Sequence, residues 1–101
     1  MKRLIVNADD LGLTPAVNRG ILRAFQGGIV TSASLLVTGN AFEEPVALAR
    51  QNPELDVGLH LVLLEERPVL GREAVPTLYD DPGPFPARCG HFLRPPFPPP
   101  L

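Results

Sequence analysis

Ten of the chain's 13 prolines lie from Pro68 onward, and this asymmetry decides where regular structure can form. Proline has no N–H to donate and its ring fixes φ, so neither an inner strand nor an unbroken helix can run through such a segment. The end, "FLRPPFPPPL", is expected to be irregular, and residues 86–101 read as a Pro-rich tail. After Leu64, "EERPVLGREAVPTLYDDPGPFPARCG" is broken repeatedly by Pro and Gly and reads as one long loop that runs into this tail. Loops of that length in a compact domain are usually functional or mobile. Strands and helices therefore have to come from the segment before Glu65.

That segment alternates between two patterns. "RLIVN" (Arg3–Asn7) is short, apolar and β-branched in its middle, the pattern of a parallel strand covered on both faces. Thr14-Pro15 is a helix start, with Thr as N-cap and Pro at the first helical position. Val17, Ile21, Leu22 and Phe25 follow at helical spacing, and Gly27-Gly28 ends the run. "IVTSASLLV" (Ile29–Val37) is a second strand. Asn40 with Glu43 three residues on resembles a capping box, opening a helix over Phe42–Arg50 with Val46 and Ala49 on one side. "DVGLHLVLL" (Asp56–Leu64) is the third strand. The order strand, helix, strand, helix, strand with short connections predicts an α/β unit built on a parallel sheet.

Bulk properties remove several function classes. The 101 residues suffice for one small domain. Nine Lys and Arg stand against 11 Asp and Glu, for a net charge of -2, so no nucleic-acid or anionic-membrane footprint is expected. No apolar run approaches the roughly 20 residues of a transmembrane helix, and "MKRLIVNADD" turns acidic too soon for a signal peptide. With one cysteine, Cys89, there is no internal disulfide, consistent with a cytoplasmic protein. No Gly-rich phosphate-binding motif is present.

In parallel α/β sheets, ligands bind beyond the C-terminal strand ends. Asp9 and Asp10 map there after the first strand, and His60 maps to the third, in the frame Gly58-Leu59-His60-Leu61 with Gly58 leaving room for close approach. Of Thr31, Ser32 and Ser34 in the second strand, only the outermost could reach such a site. Each feature has a plain explanation. A histidine in an apolar strand can bond a backbone carbonyl, and an acidic pair near a helix start can simply favour the macrodipole. Together they point further. Adjacent carboxylates repel, a divalent cation removes the repulsion, and an imidazole from a neighbouring strand end is its natural further ligand. A cation so held, by one carboxylate and imidazoles, keeps positions for water and substrate. The other carboxylate is then free to be the general base of amide or ester hydrolysis.

These residues also resemble a known family. "NADDLGLTPAVNRGILRAFQGGIVTSASLLV", "NAFEEPVALARQNPELDVGLHLVLLEERPVL" and "LYDDPGPF" are similar to the YdjC-like carbohydrate deacetylases, over Lys2 to about Phe85. The motifs N-A-D-D-x-G and G-L-H-L are specific in combination. The family includes the chitooligosaccharide deacetylase ChbG and the hopanoid-associated HpnK, and "TSASLLV" and "VGLHLVLLEERPVL" look closest to HpnK. The resemblance implies that residues 1–85 are the N-terminal βαβαβ part of a deformed (β/α) barrel. It also implies removal of acetyl groups from N-acetylated sugars with a divalent metal, Mg²⁺ or Zn²⁺. The acetyl carrier would be a chitooligosaccharide or an acetylglucosamine-bearing hopanoid glycolipid. Carried over by position, Asp10 and His60 are metal ligands and Asp9 is the catalytic base. A full-length form that can pair as a homodimer is expected.

The family supplies a further histidine ligand from a His-rich segment downstream of residue 101. His91, in "ARCGHFLRPP", reads as an ordinary surface histidine, and Cys89 with His91 as too small a set for zinc. A complete (β/α) barrel takes roughly 200 residues or more, so this chain is expected to be a truncated form, inactive and poorly stable alone, with sheet edges and barrel-facing apolar surface exposed. Two other readings compete. A receiver-type Mg²⁺-binding phosphoacceptor domain shares the acidic pair and the βαβαβ start. It needs an Asp at the end of the third strand, whereas Asp56 stands at its beginning. It also needs a later Lys, and Lys2 is the only lysine. A non-catalytic remnant could dock its PxxP tail (Pro95 and Pro98, Pro96 and Pro99) on an aromatic groove.

Overall fold

The computed structural model describes residues 1–78, 85–87 and 89–91. Met1–Leu61 and Val62–Leu101 form two separate compact units. The first holds every strand and both α-helices of the described residues, in the order β1 (Asn7–Leu11), α1 (Pro15–Gly27), β2 (Ser32–Leu35), α2 (Glu43–Gln51) and β3 (Asp56–Leu59). The strands make one parallel sheet in the order β1-β2-β3. Consecutive strands that stay adjacent and parallel need right-handed crossovers, which put both helices on one face. The expected α/β unit is present. Its strand order differs from the 2-1-3 arrangement of flavodoxin-like domains, in which β1 is central. Here β2 is central, and this removes the receiver reading.

α1 forms for the reasons its sequence suggests. Thr14 is the N-cap, its Oγ1 accepting from the Val17 N–H at 3.2 Å, and Pro15 occupies the first turn. Val17, Ile21 and Phe25 then face the sheet. They pack with Ala8, Leu11, Ala33, Leu35 and Leu55 into the core of this unit. Leu11, Ala33 and Leu55 are almost fully buried, and burying a side chain such as Leu11 or Leu55 contributes about 1.5–3 kcal/mol.

α2 starts differently from the sequence expectation. Its N-cap is Phe42, with no side-chain cap, so Asn40 and Glu43 do not make a capping box. A turn closed by the Phe42 N–H on the Gly39 carbonyl (3.3 Å) takes up the approach to the helix instead. Glu43 and Glu44 in the first turn and Arg50 in the last complement the helix dipole. The Asn52 side chain donates to the Leu48 carbonyl at 2.8 Å and closes the C-terminal end.

The strands also depart from their expected limits. β1 pairs from Asn7 to Leu11, not from Arg3 to Asn7; the Thr31 N–H reaches the Val6 carbonyl (2.9 Å), and before it Leu4 and Ile5 are 79% exposed. A continuous apolar run carries no register of its own; pairing with β2 and packing under α1 set it. β2 and β3 are likewise shorter than expected, and β3 is exposed along its length. Only one face of the sheet is packed, so the expectation of strands covered on both faces does not hold within this unit. Among the described residues no strand pairs with the outer edge of β3, and Leu59 is 62% exposed.

In the second unit, the Phe85 N–H donates to the Glu66 carbonyl (2.8 Å) and the Glu65 N–H to the Pro86 carbonyl (3.2 Å). Short 3-10 turns occupy Pro76–Leu78 and Cys89–His91. The PxxP motifs and most of the tail lie outside the described residues.

Two glycines allow the loops after β1 and β2 to touch. A Cβ at Gly39 would fall on the Gly12 carbonyl oxygen, and Gly12 has φ of 105° with its Cβ direction 2.8 Å from the Leu36 carbonyl. Both obstacles are backbone. Gly39→Ala should therefore destabilise the fold by about 2 kcal/mol or more. Gly20→Ala, in the helix with nothing within 4 Å, should stabilise it by about 0.5–1 kcal/mol. Urea midpoints at constant m-value read both, and the two shifts should have opposite signs.

Candidate metal and hydrolase site

The local feature that builds the site is a mismatch in pairing. Ala8 pairs with Ala33 and Leu11 with Leu35, so two β1 residues, Asp9 and Asp10, stand against the single Ser34 of β2. This is a β-bulge, a device that bends the strand and re-aims a side chain. Asp10 takes it up with a φ of 65°. The left-handed region costs an L-residue roughly 1–2 kcal/mol, and Asp is among those that tolerate it. Asp9 and Asp10 thus lie inside the paired strand rather than beyond its end.

The bulge turns Asp10 toward the third strand. The His60 N–H donates to the Leu35 carbonyl at 2.9 Å, so the ladder continues one step past β3 and fixes the base of the ring. Asp10 Oδ1 and His60 Nδ1 then approach to 3.3 Å. Two strand spacings, about 9.6 Å, separate β1 from β3, so the two side chains meet over the end of β2. Despite that approach, His60 Nδ1 is buried and has no hydrogen-bond partner among the described residues. The ring as a whole remains 29% exposed and the Asp10 side chain 47%. A buried ring nitrogen left unpaired beside a carboxylate is costly unless something is placed between them.

Asp9 is held separately. Its Oδ1 accepts from Asn7 Nδ2 at 2.8 Å; the same nitrogen donates to Ser34 Oγ at 2.8 Å, and Asn7 Oδ1 accepts from Ser32 Oγ at 2.8 Å. Because the Asp9 carboxylate can only accept, this bond also fixes which way the Asn7 amide faces. Ser32 and Ser34 alternate with Ala33, which lies in the core, so this polar ladder is on the face away from α1. Thr31 bonds the Val6 N–H and carbonyl at the other end of the strand and takes no part. Among the described residues nothing lies within 4 Å of the Cβ direction of Gly58.

Asp10 and His60 are the pair that could hold a metal. Atoms each about 2.0–2.1 Å from one cation at a tetrahedral angle lie about 3.3–3.4 Å apart, which is the separation found. An oxygen and an imidazole nitrogen suit Zn²⁺ and, less fully, Mg²⁺. No third His, Cys, Asp or Glu joins them among the described residues. Asn7 and Asn18 escape a reading directed at charged and metal-binding types. Asn18 carried a signal, being a polar residue on the helix stripe of Ile21 and Phe25.

The family model for YdjC-like protein matches residues 3–96. The chain belongs to this family. The match runs beyond Phe85, further than the quoted motifs carried the resemblance. The chain is 50% identical over 84 residues to a carbohydrate deacetylase of Geobacillus stearothermophilus, covering 83% of this chain and 33% of that protein. It is 46% identical over 91 residues to one of Brevibacillus brevis, covering 90% and 36%. A crystal structure of a proposed cellobiose-phosphate cleavage protein from Enterococcus faecalis superposes with a TM-score of 0.76 at 45% identity, covering 83% of this chain and 33% of that one. The chain therefore spans about a third of the length of these relatives. No helix among its described residues is long and apolar enough to cross a membrane.

Asp10 and His60 should act as one unit toward a cation. Zn²⁺ at 100 times its Kd should raise the unfolding free energy of the chain by about 2.7 kcal/mol. The same addition should leave Asp10→Ala and His60→Ala unshifted in thermal melts, and EDTA should reverse the wild-type shift.

Proposed function

We propose that the site is the metal-binding half of a carbohydrate deacetylase centre that removes acetyl groups from N-acetylated sugars. The observation that carries this is the 3.3 Å approach of Asp10 Oδ1 to the buried, unpartnered His60 Nδ1. The relatives' deacetylase names and the family membership support it. In this reading Asp10 and His60 hold a divalent cation, Zn²⁺ or Mg²⁺, with a further histidine supplied from elsewhere in the family's full-length protein. When bound, the cation lowers the pKa of water and polarises the acetyl carbonyl.

The chain's own residues do the rest. Asp9, one residue from the ligand and not in contact with His60, takes the proton from the attacking water as general base. Asn7 keeps the Asp9 carboxylate turned to the open face by donating to Oδ1, and Ser34 and Ser32 keep the Asn7 amide in place. His60 is anchored through its backbone just past the end of β3 by the ladder bond to Leu35, which fixes where its ring starts.

The fold in this reading is the first part of a (β/α) barrel. The unreversed strand order with helices on one face and the TM-score to the Enterococcus protein support it. Of the two substrates the resemblance implies, the HpnK-like segments favour an acetylglucosamine-bearing hopanoid over a chitooligosaccharide, acted on in the cytoplasm.

Acetate release from both substrates by a full-length form tests the proposal. Asp10→Ala and His60→Ala should lose bound metal and turnover together. Asp9→Asn should keep the metal and lose about 10²–10⁴-fold in kcat. Loss of metal in Asp9→Asn would exchange the roles of the two carboxylates, and full turnover in His60→Ala would end the proposal.

A further inference from the structure

Asn18 is the one buried polar side chain among the described residues, at 0% exposure. It lies in the first turns of α1, where an apolar residue would pack with less risk. Its Oδ1 accepts from the Gly12 N–H at 2.7 Å; its Nδ2 donates to the Ala41 carbonyl at 3.2 Å and to Glu44 Oε2 at 2.8 Å. A carbonyl and a carboxylate only accept and an N–H only donates, so the amide has a single workable orientation. One side chain thus ties the loop after β1, the loop after β2 and the first turn of α2 to α1.

The bond to Gly12 reaches the site. Asp10 to Leu13 form a turn closed by the Leu13 N–H on the Asp10 carbonyl at 3.0 Å. Within it Asp10 has φ of 65° and Gly12 of 105°. Left-handed backbone at a non-glycine residue is not a local preference; it persists where surrounding contacts over-determine it. Three contacts do so here. They are the Leu36 N–H on the Leu11 carbonyl at 2.7 Å, the Ala41 N–H on the Gly12 carbonyl at 2.9 Å, and Asn18 on the Gly12 N–H. Of these only the last comes from a side chain.

We propose that Asn18 is a positioning residue that clamps the Asp10 turn, so that the Asp10 carboxylate is held facing His60, with Glu44 bracing the clamp from α2. This rests on the reading of Asp10 and His60 as a metal-binding pair. Asn18 touches neither the cation nor the substrate in that reading; it acts through Gly12. Replacing it with an apolar residue would leave the Gly12 N–H without a partner in a buried place. Replacing it with Asp would set a carboxylate against the Ala41 carbonyl and Glu44.

The test uses the 101-residue chain with Asn18→Ala, Glu44→Ala and Asp10→Ala, and reads metal-free amide exchange by NMR and Zn²⁺ affinity by calorimetry. In Asn18→Ala the Gly12 and Leu13 amides should exchange about tenfold faster relative to the core amides of Ile21 and Ala33. Its Kd for Zn²⁺ should rise about tenfold, equivalent to about 1.4 kcal/mol. Glu44→Ala removes one brace and leaves the Gly12 bond, so it should shift both readouts the same way by about two- to fivefold. A lowered urea midpoint with all amides accelerating together, and with Kd within about twofold of wild type, would make Asn18 merely structural and overturn the proposal. Should Asn18→Ala fail to fold, Glu44→Ala decides, and unchanged Kd and Gly12 exchange in it overturn the clamp. A wild-type chain that binds Zn²⁺ no better than Asp10→Ala would instead refute the metal pair, and Gly12 exchange alone then decides whether the clamp exists.

Discussion

Two residues of β1 stand against one residue of β2, and the arrangement of the site follows from how the backbone absorbs that surplus. In regular pairing Asp9 and Asp10 would point to opposite faces, and one of them would enter the apolar layer under α1. The bulge avoids this. It leaves Ala8 and Leu11 both packed in the core while Asp10, in left-handed backbone, reaches over the end of β2 to the His60 ring. Asp9 stays on the polar face with Asn7, Ser32 and Ser34. Two neighbouring carboxylates thereby get different partners, which is the condition for different chemical roles.

A strained turn needs support, and here polar contacts supply more of it than apolar mass does. The buried apolar side chains that clasp the sheet to α1 are few: Leu11, Ile21, Ala33 and Leu55, with partly buried neighbours. Around the turn, the loops after β1 and β2 bond each other through Gly12 and Ala41, and Asn18 adds its three bonds. Hydrogen bonds of this kind contribute only about 0.5–1.5 kcal/mol each, but leaving a buried partner unmade costs about 1–3 kcal/mol. Their value is therefore specificity of geometry: a loosened loop exposes an unsatisfied group at once. The glycines at 12 and 39 serve the same end by letting two backbones approach where any side chain would separate them.

The face that carries the polar ladder is also the one the helices leave free, and β3, paired with β2 on one side, is exposed along its length. Relatives of which the matched stretch covers only 33–36% are 46–50% identical to this chain over it. Asp10 and His60 stand with no third His, Cys, Asp or Glu grouped beside them among the described residues.

Much of this was legible beforehand. Thr14-Pro15 and the stripe of Val17, Ile21 and Phe25 identify α1 from local chemistry alone, because capping and helical periodicity are properties of a short segment. The pairing of Asp10 with His60 was also readable, because a carboxylate and an imidazole carried by the first and third strands of one parallel sheet can meet at the same end of it. The limits of β1 were not, because an apolar run such as Leu4–Ile5–Val6 fits several registers and only pairing with Ser32 and Ala33 selects one. Nor was the failed cap at Asn40, where the loop contact with Gly12 takes the backbone away from the box geometry, or the employment of Asn18, whose partners lie six to 26 residues distant. Sequence alone determined which residues could do chemistry and which segments could be helix or strand, since those follow from side-chain type and near-neighbour spacing. Tertiary structure decided the register, the bulge and the 3.3 Å meeting of an aspartate with a histidine 50 positions later, because such contacts depend on where remote parts of the backbone come to rest.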